Sequence, residues 1–220
     1  MALQQTNNQD NTVQEVDAAI SRSEQFVEKN RNNIMYVLLG IVVLVAAVWG
    51  WNKLSANSNE KAQDMIWESE LLFGEGQYEQ ALEGFEAVID EYGSTKAGNM
   101  AKAYAGLCQK NLGHYDEAIQ WLNDFSGSDE VVTPAVLAAL GDCYVDKEPA
   151  DNVRGAELFE KAAKAANNAQ FTPLFLKKAG LAYEAAGDKK KAVAMYQAIK
   201  ESWAETPLAQ NIDKYIERVK

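Results

Sequence analysis

The longest apolar stretch of the chain covers residues 34–51, IMYVLLGIVVLVAAVWGW, and contains no charged side chain. As a helix these 18 residues would rise about 27 Å, close to the ~30 Å thickness of the hydrocarbon core of a bilayer. Aromatic rings, which favour the membrane–water interface, lie near both ends of the stretch, and a basic residue closes each end. These membrane-anchor residues are Tyr36, Trp49, Trp51, Arg31 and Lys53.

This pattern predicts a single transmembrane helix at residues 33–52. A core helix of a soluble protein rarely has this length without a polar face, and a cleaved signal peptide has a shorter apolar core nearer to the start of the chain. Here 33 residues precede the apolar stretch. We therefore expect the helix to be retained in the membrane.

The segments that flank the span have different apolar patterns. Residues 1–12 are polar, so nothing offsets the entropy of ordering them, and we expect a disordered tail. Thr12 and Glu15 form a capping-box signature for an amphipathic helix at residues 13–32, with apolar side chains at Val13, Val16, Ile20 and Val27. This helix either contacts a lipid or protein surface, which its apolar stripe favours, or is a solvated leader. A juxtamembrane segment at residues 53–61 follows the span.

From residue 62 onward, small and apolar residues recur with a period of 37 residues. Three copies begin with glycine at residues 76, 113 and 187, one and then two periods apart: GQYEQALEGFEAVI, GHYDEAIQWLNDFS and GDKKKAVAMYQAIK. The intervening copy is found in RGAELFEKAAKAA. Such a period is typical of helical repeats, in which each hairpin buries its apolar face against its neighbours.

Each copy combines small and large residues at fixed offsets, as closely packed helices require. The three glycines end the first helix of a hairpin, because glycine adopts positive φ at little cost. A small residue then lets two helices approach, and a large side chain four residues later fills the space between them. In the third copy the first small residue comes two positions early, which predicts a longer turn within that hairpin. The predicted repeat-packing residues are Ser69, Ala81, Phe85, Gly106, Ala118, Leu122, Gly141, Gly155, Phe159, Gly180, Ala192 and Tyr196.

Residues 202–220 predict one closing helix. Thr206 would cap this helix and Pro207 would occupy its first turn, where a missing N–H does no harm. Repeat arrays need such an element with a polar outer face. Its apolar stripe would consist of Leu208, Ile212, Tyr215, Ile216 and Val219.

The segments LCQKNLGHYDEAIQWL and LAYEAAGDKKKAVAMY carry Gly, Ala and aromatic positions at the offsets of the tetratricopeptide repeat, and the chain resembles that family. The resemblance implies an all-α fold, in which a single N-terminal transmembrane helix precedes a right-handed superhelix of about four helical hairpins plus a capping helix at residues 62–220. It also implies a concave face built mainly by the first helix of each hairpin.

Some tetratricopeptide domains hold an acidic chain terminus in a clamp of Lys and Asn, which is absent here. The corresponding positions are Ile66, Glu70, Ala103, Leu107, Ala138, Asp142, Lys177 and Leu181. A mostly apolar groove with acidic edges is expected instead, suited to an extended or helical segment of another protein. Alternatively, some of these side chains pack between helices. The predicted partner-binding residues are Phe73, Met100, Leu107, Leu174, Lys177 and Leu181.

The chain has a net charge of -11, and residues 52–220 contain 18 basic and 27 acidic side chains. We therefore expect no binding to nucleic acid. No motif for nucleotide, metal or nucleophile chemistry occurs, so the sequence predicts neither an enzyme nor a cofactor, metal or small-molecule substrate. His114 is predicted to be a surface residue. Cys108 and Cys143 are predicted to be half-buried thiols without a disulfide, because neighbouring helices pack ~8–10 Å apart.

The approach to the span, FVEKNRNNIMY, together with the Trp-ended span and the acidic helical repeats, resembles the bacterial ancillary Sec-translocon subunit family. The resemblance implies a single-pass protein of the bacterial inner membrane, with a cytoplasmic N-terminus and a periplasmic repeat domain. It implies a non-catalytic scaffold whose partners are translocon subunits, exported chains or periplasmic chaperones.

Two other interpretations fit the same layout. An assembly factor for other envelope complexes would differ only in its partner. An organelle import receptor would keep the repeat domain in the cytosol, where its acidic surface would bind basic presequences. The counts of Lys and Arg on the two sides of the span differ by one, so the positive-inside rule barely separates these topologies.

Overall fold

The computed structural model describes the backbone of residues 2–219 and the side chains of residues 29–33, 35–51 and 53–219. Within this part of the chain every regular element is helical, and the all-α fold is confirmed. The chain divides into two compact units, Met1–Ala56 and Asn57–Lys220. The helices are α1 (Ala2–Gly74), α2 (Tyr78–Tyr92), α3 (Lys96–Asn111), α4 (Tyr115–Asp124), α5 (Val132–Asp146), α6 (Asn152–Ala166), α7 (Thr172–Ala185), α8 (Lys189–Ser202) and α9 (Asp213–Val219), with a 3₁₀ turn at Ala209–Asn211.

Helix α1 contains the apolar stretch and continues into the second unit. The sequence has no proline before residue 134, and proline is the residue that most often interrupts a helix. The part of α1 at Lys29–Gly74 is long and apolar enough to cross a membrane, with a mean hydropathy of 2.4 over its most apolar 18 residues, none of them buried. The predicted tail and most of the predicted amphipathic helix lie where side chains are outside the described residues, so both segments stay predictions.

The helices of the second unit form four hairpins, in which residues 57–74 of α1 pair with α2, α3 with α4, α5 with α6, and α7 with α8. Three hairpins close with the same glycine turn. In the first of them the Gln77 N–H donates to the Leu72 carbonyl at 2.9 Å and the Gly76 N–H donates to the Phe73 carbonyl at 3.1 Å. These two bonds satisfy carbonyls that the helix end would leave free. The turn glycines are Gly76, Gly113 and Gly187, with φ of 79°, 82° and 80°.

The third hairpin has a longer turn between α5 and α6. Within this turn the Asp151 N–H donates a hydrogen bond to the Tyr144 carbonyl at 2.7 Å. The Asp151 carboxylate then caps α6 by accepting from the Arg154 N–H at 3.0 Å. An N-cap carboxylate of this kind satisfies a free N–H and suits the positive end of the helix dipole.

Small residues of the first helices lie directly against large side chains of the second helices. A Cβ atom added at the glycine of α3, α5 or α7 would collide with that side chain, so only glycine allows this approach. The pairs are Gly106 with Leu122, Gly141 with Phe159, and Gly180 with Tyr196.

The other predicted packing residues also lie in the interior. Ser69 takes the glycine position in the first hairpin and is 3% exposed, with its side chain against Gly84. Gly155 is buried, and it lies against the side chain of Val145 rather than against an aromatic ring. The remaining members are fully buried: Ala81, Phe85, Ala118 and Ala192.

A closing helix is present as predicted, but it begins at Asp213 instead of Pro207. The Thr206 hydroxyl donates to the Trp203 carbonyl at 2.7 Å, so it prolongs the turn after α8 instead of capping a new helix. A 3₁₀ turn follows, and α9 begins only at Asp213. The apolar stripe still covers the last hairpin, because Ile212, Ile216 and Val219 are buried in the core.

Candidate protein-binding groove

The first helices of the four hairpins lie side by side along one side of the repeat domain. We call this side, lined by residues 57–74 of α1 and by α3, α5 and α7, the first-helix face. Polar contacts join its members in order. The pairs are Asn59 Oδ1 with the Ala97 N–H at 2.9 Å, Lys110 Nζ with Asp142 Oδ2 at 3.6 Å, and Lys178 Nζ with Asp142 Oδ1 at 2.8 Å.

The predicted partner-binding residues divide into exposed and packed positions. Leu174 and Leu181 lie two turns apart on α7 and are 41% and 38% exposed. Met100 and Leu107 of α3 are half-buried, and Leu107 packs against the core between the second and third hairpins. The Phe73 ring belongs to the core, where it meets the rings of Tyr78 and Tyr104 edge-on, each at 5.5 Å. Among the predicted partner-binding residues, the apolar side chains most available to a partner are therefore Leu174 and Leu181 of α7.

Lys177 is held by the closing helix. Its Nζ lies 4.8 Å from the centre of the Tyr215 ring, and its hydrogen bond to the Tyr215 hydroxyl lowers the pKa of that phenol. A cation over an aromatic face is attracted by the ring quadrupole. Lys177 thus links α7 to α9 at the end of the groove.

Asp142 lies at the centre of a charge cluster that sequence reasoning missed. It accepts from Lys178 Nζ with both carboxylate oxygens, at 2.8 Å and 2.9 Å, and Lys110 is the third member. Lys178 also lies over the Phe159 ring at 5.3 Å. The three charged residues lie on three consecutive first helices. In the sequence, their opposite charges are spaced by close to one repeat period, and this spacing could have indicated the cluster.

Two glutamates of the first-helix face also have partners. Glu184 accepts from the Tyr196 hydroxyl at 2.6 Å and from Arg218 Nη2 at 2.8 Å. Glu70 is hydrogen-bonded to Tyr104; burial, and then the charge and hydrogen bond of Glu70, raise the pKa of that phenol. These charged side chains of α3, α5 and α7 are thus held by other polar groups of the repeat domain, whereas Leu174 and Leu181 are exposed. An apolar segment fits this arrangement better than a charged one.

The cysteines are more buried than the sequence predicts. Cys108 and Cys143 are both 0% exposed, and both are free thiols. Burial raises the pKa of Cys108 to about 12 and that of Cys143 to about 11. Both side chains pack against the preceding hairpin, and the repeat period alone does not predict how completely this contact buries them. Because the thiolate is the reactive form, these side chains pack as small apolar groups.

The described residues offer little for metal or proton chemistry. His114 is exposed at the start of α4, and its Nδ1 lies 2.8 Å from Gln109 Oε1. Among the residues whose side chains the structure describes, no group of three or more His, Cys, Asp or Glu could hold a metal ion.

Comparison with known proteins supports the repeat fold. Residues 178–206 match the tetratricopeptide repeat family model. A protein described as a kinesin light chain of Podosopora anserina, with nearly identical TPR-like repeats, superposes with a TM-score of 0.59 at 15% identity over 73% of this chain and 86% of its own. The MamA protein superposes with a TM-score of 0.52 at 16% identity over 74% of this chain and 91% of its own. No curated protein matches the sequence. At these identities the similarity shows the fold alone.

Proposed function

We propose that the protein is a non-catalytic, membrane-anchored scaffold that binds an apolar segment of another protein on the first-helix face. The observation that carries the proposal is the pair Leu174 and Leu181, which stay exposed on a face where Lys110, Asp142 and Lys178 are paired with one another. Exposed apolar side chains within a rim of polar groups are typical of protein-binding grooves.

The apolar part of α1 supports the membrane anchor. The described side chains of this stretch, at residues 35–51, are all exposed, for example Leu44 at 66% and Val45 at 63%. A helix of this length and composition is stable only where its surroundings are also apolar, because each exposed apolar side chain costs free energy in water. Lys53 Nζ lies 5.4 Å from the Trp49 ring centre, an arrangement suited to the interface region.

The resemblance to the ancillary translocon subunits supports a more specific role. In that role the N-terminus is cytoplasmic, the repeat domain is periplasmic, and the groove receives exported chains or periplasmic chaperones close to the Sec translocon. A segment that has just left a translocon is unfolded and exposes apolar side chains, which is the chemistry that an apolar groove can bind.

The proposal is tested by mild-detergent co-purification of the full-length protein from native membranes. The test variant is Leu174→Ser with Leu181→Ser, and the matched control is Val153→Ser, which is 46% exposed on the second helix α6. A further variant has an unrelated span in place of residues 34–51. We expect the groove variant to lose its partner and the control to keep it.

The identity of the co-purified proteins separates the interpretations. Translocon subunits that appear only with the native span would support the Sec role. Other envelope proteins recovered with both spans would support the assembly-factor role. Cleavage of the repeat domain by protease added to intact cells or organelles would contradict an enclosed location and favour the cytosolic import receptor. Partners that survive the groove variant would overturn the assignment of the binding surface.

A further inference from the structure

The first helix of the repeat array exposes a face that every later first helix buries. In α3 this face packs against α2. The α3 residues that lie one repeat period after the exposed residues of α1 are almost fully buried. Those α3 residues are Ala97, Ala101, Ala105 and Cys108, exposed by 5%, 0%, 0% and 0%. We call the corresponding surface of α1, consisting of Glu60, Asp64, Trp67, Glu68 and Leu71, the stacking face.

Trp67 and Leu71 are the apolar members of the stacking face. The residue equivalent to Trp67 in the second hairpin is Tyr104, whose ring stacks on Phe85 at 4.9 Å and 8°. Within the described part of the chain Trp67 has no preceding second helix to stack on, and it is 70% exposed. Leu71 is 56% exposed, although its equivalents are buried in each later hairpin. Those equivalents are Cys108, Cys143 and Ala182.

The rest of the stacking face is charged and mostly acidic; Lys61, whose equivalent in α3 is the buried Gly98, is an exposed basic residue of the same face. Glu60, Asp64 and Glu68 replace the three alanines of α3, and all three carboxylate residues are exposed. Glu75 follows one turn after Leu71 and is also exposed. A terminal repeat needs a polar outer surface for solubility, and the carboxylates supply it. That requirement does not explain why a tryptophan and a leucine lie exposed between them.

We propose that the stacking face binds an amphipathic helix of another protein, in which Lys or Arg residues flank an apolar stripe. The helix would take the place of a preceding second helix, with its apolar stripe on Trp67 and Leu71 and its basic residues beside the carboxylates. The charge of the face selects this occupant. A second copy of the chain in a two-fold arrangement would bring like carboxylates together, and an anionic lipid surface would be repelled.

The array itself supplies a probe for this site. The sequence of α2 already packs on this kind of face, so an end-capped, fluorescein-labelled peptide YKQALKGFKAVIKKY keeps its apolar positions. It differs from Tyr78–Tyr92 by Glu79→Lys, Glu83→Lys, Glu86→Lys, Asp90→Lys and Glu91→Lys. The unmodified α2 sequence is the charge control. Binding is measured by fluorescence anisotropy with the full-length protein in zwitterionic nanodiscs, with empty nanodiscs as the background.

The variant Trp67→Ser with Leu71→Ser removes the apolar contacts, and Val131→Ser is the matched exposed control. We expect saturable binding of the lysine peptide, weakened at least about tenfold by the Trp67/Leu71 variant and unchanged by the control. The unmodified acidic peptide should bind much more weakly. Asp64→Lys with Glu68→Lys should reverse that charge preference.

Other outcomes would overturn the proposal. Two of them are failure of the lysine peptide to bind and binding that survives the loss of Trp67 and Leu71. Self-association of the protein that disappears with Trp67→Ser and Leu71→Ser, without peptide binding, would assign the face to a second copy. Binding to empty or anionic nanodiscs alone would assign the effect to lipid. Because Leu174→Ser with Leu181→Ser leaves this face intact, failure of the groove proposal and failure of this one are distinguishable.

Discussion

Gly180→Ala in α7 tests whether the repeat depends on the close approach of its two helices. The added Cβ would lie 2.7 Å from Cζ and 2.9 Å from Cδ1 of Tyr196, distances at which atoms overlap. The Tyr196 ring is 0% exposed, and its hydroxyl donates to Glu184 at 2.6 Å. The ring therefore has no free space to enter without breaking a hydrogen bond or shifting a helix.

Two opposing terms set the size of the effect. Replacing glycine by alanine inside a helix stabilises it by about 1 kcal/mol, whereas overpacking a filled core costs about 1–3 kcal/mol. Because the ring is anchored, we expect the upper part of that range and a net loss of about 1–2 kcal/mol. For a domain of this size the unfolding temperature should fall by about 2–8 °C.

The assay is thermal unfolding of the full-length protein in mild detergent, followed by circular dichroism at 222 nm. Gly74→Ala is the matched control, because a Cβ there meets nothing within 4 Å, and its unfolding temperature should stay the same or rise. Tyr196→Ala removes the colliding side chain, so the cost of Gly180→Ala should shrink in that background. If Gly180→Ala stabilised the protein as the control does, the close-approach reasoning would be refuted.

Three further predictions concern the core, the thiols and the tyrosines. Ile212→Ala should lower the free energy of unfolding by about 2–5 kcal/mol in urea titrations, because the side chain is 0% exposed under the last hairpin; a loss below about 0.5 kcal/mol would mean that the closing segment is not packed as described. Cys108 and Cys143, whose pKa values burial raises to about 12 and about 11, should react with a thiol reagent at pH 8 only after unfolding; rapid labelling of the native protein would contradict their burial. Burial and then hydrogen bonds to Glu160 and Glu184 raise the pKa of Tyr183 and Tyr196 above 10.0, so the unfolded chain loses these protons first and stability should fall as pH rises above about 10. Tyr183→Phe with Tyr196→Phe should flatten that dependence in urea titrations at pH 9 to 11, and an unchanged slope would contradict this assignment.

The repeat architecture could be predicted from the sequence because its determinants are local and periodic. Gly113 and Gly187 mark helix ends through their own backbone preference. A small residue followed four positions later by a large one, as in Ala118 and Leu122, indicates where the two helices of a hairpin pack closely. The closing helix was predicted correctly, but its first residue was not. A Thr hydroxyl can either accept from an N–H ahead of it as an N-cap or donate to a carbonyl behind it, and Thr206 donates to the Trp203 carbonyl.

The sequence by itself determined the apolar segment, the four hairpins and the small-to-large packing pairs, since each depends on residues within one helix or one period. Only the tertiary structure decided which surfaces stay open. Trp67 and Tyr104 occupy the same place in the period, yet one is exposed and the other stacks on Phe85, because burial depends on whether a preceding hairpin exists. Likewise, Lys110, Asp142 and Lys178 become one charge cluster only when three helices are laid side by side.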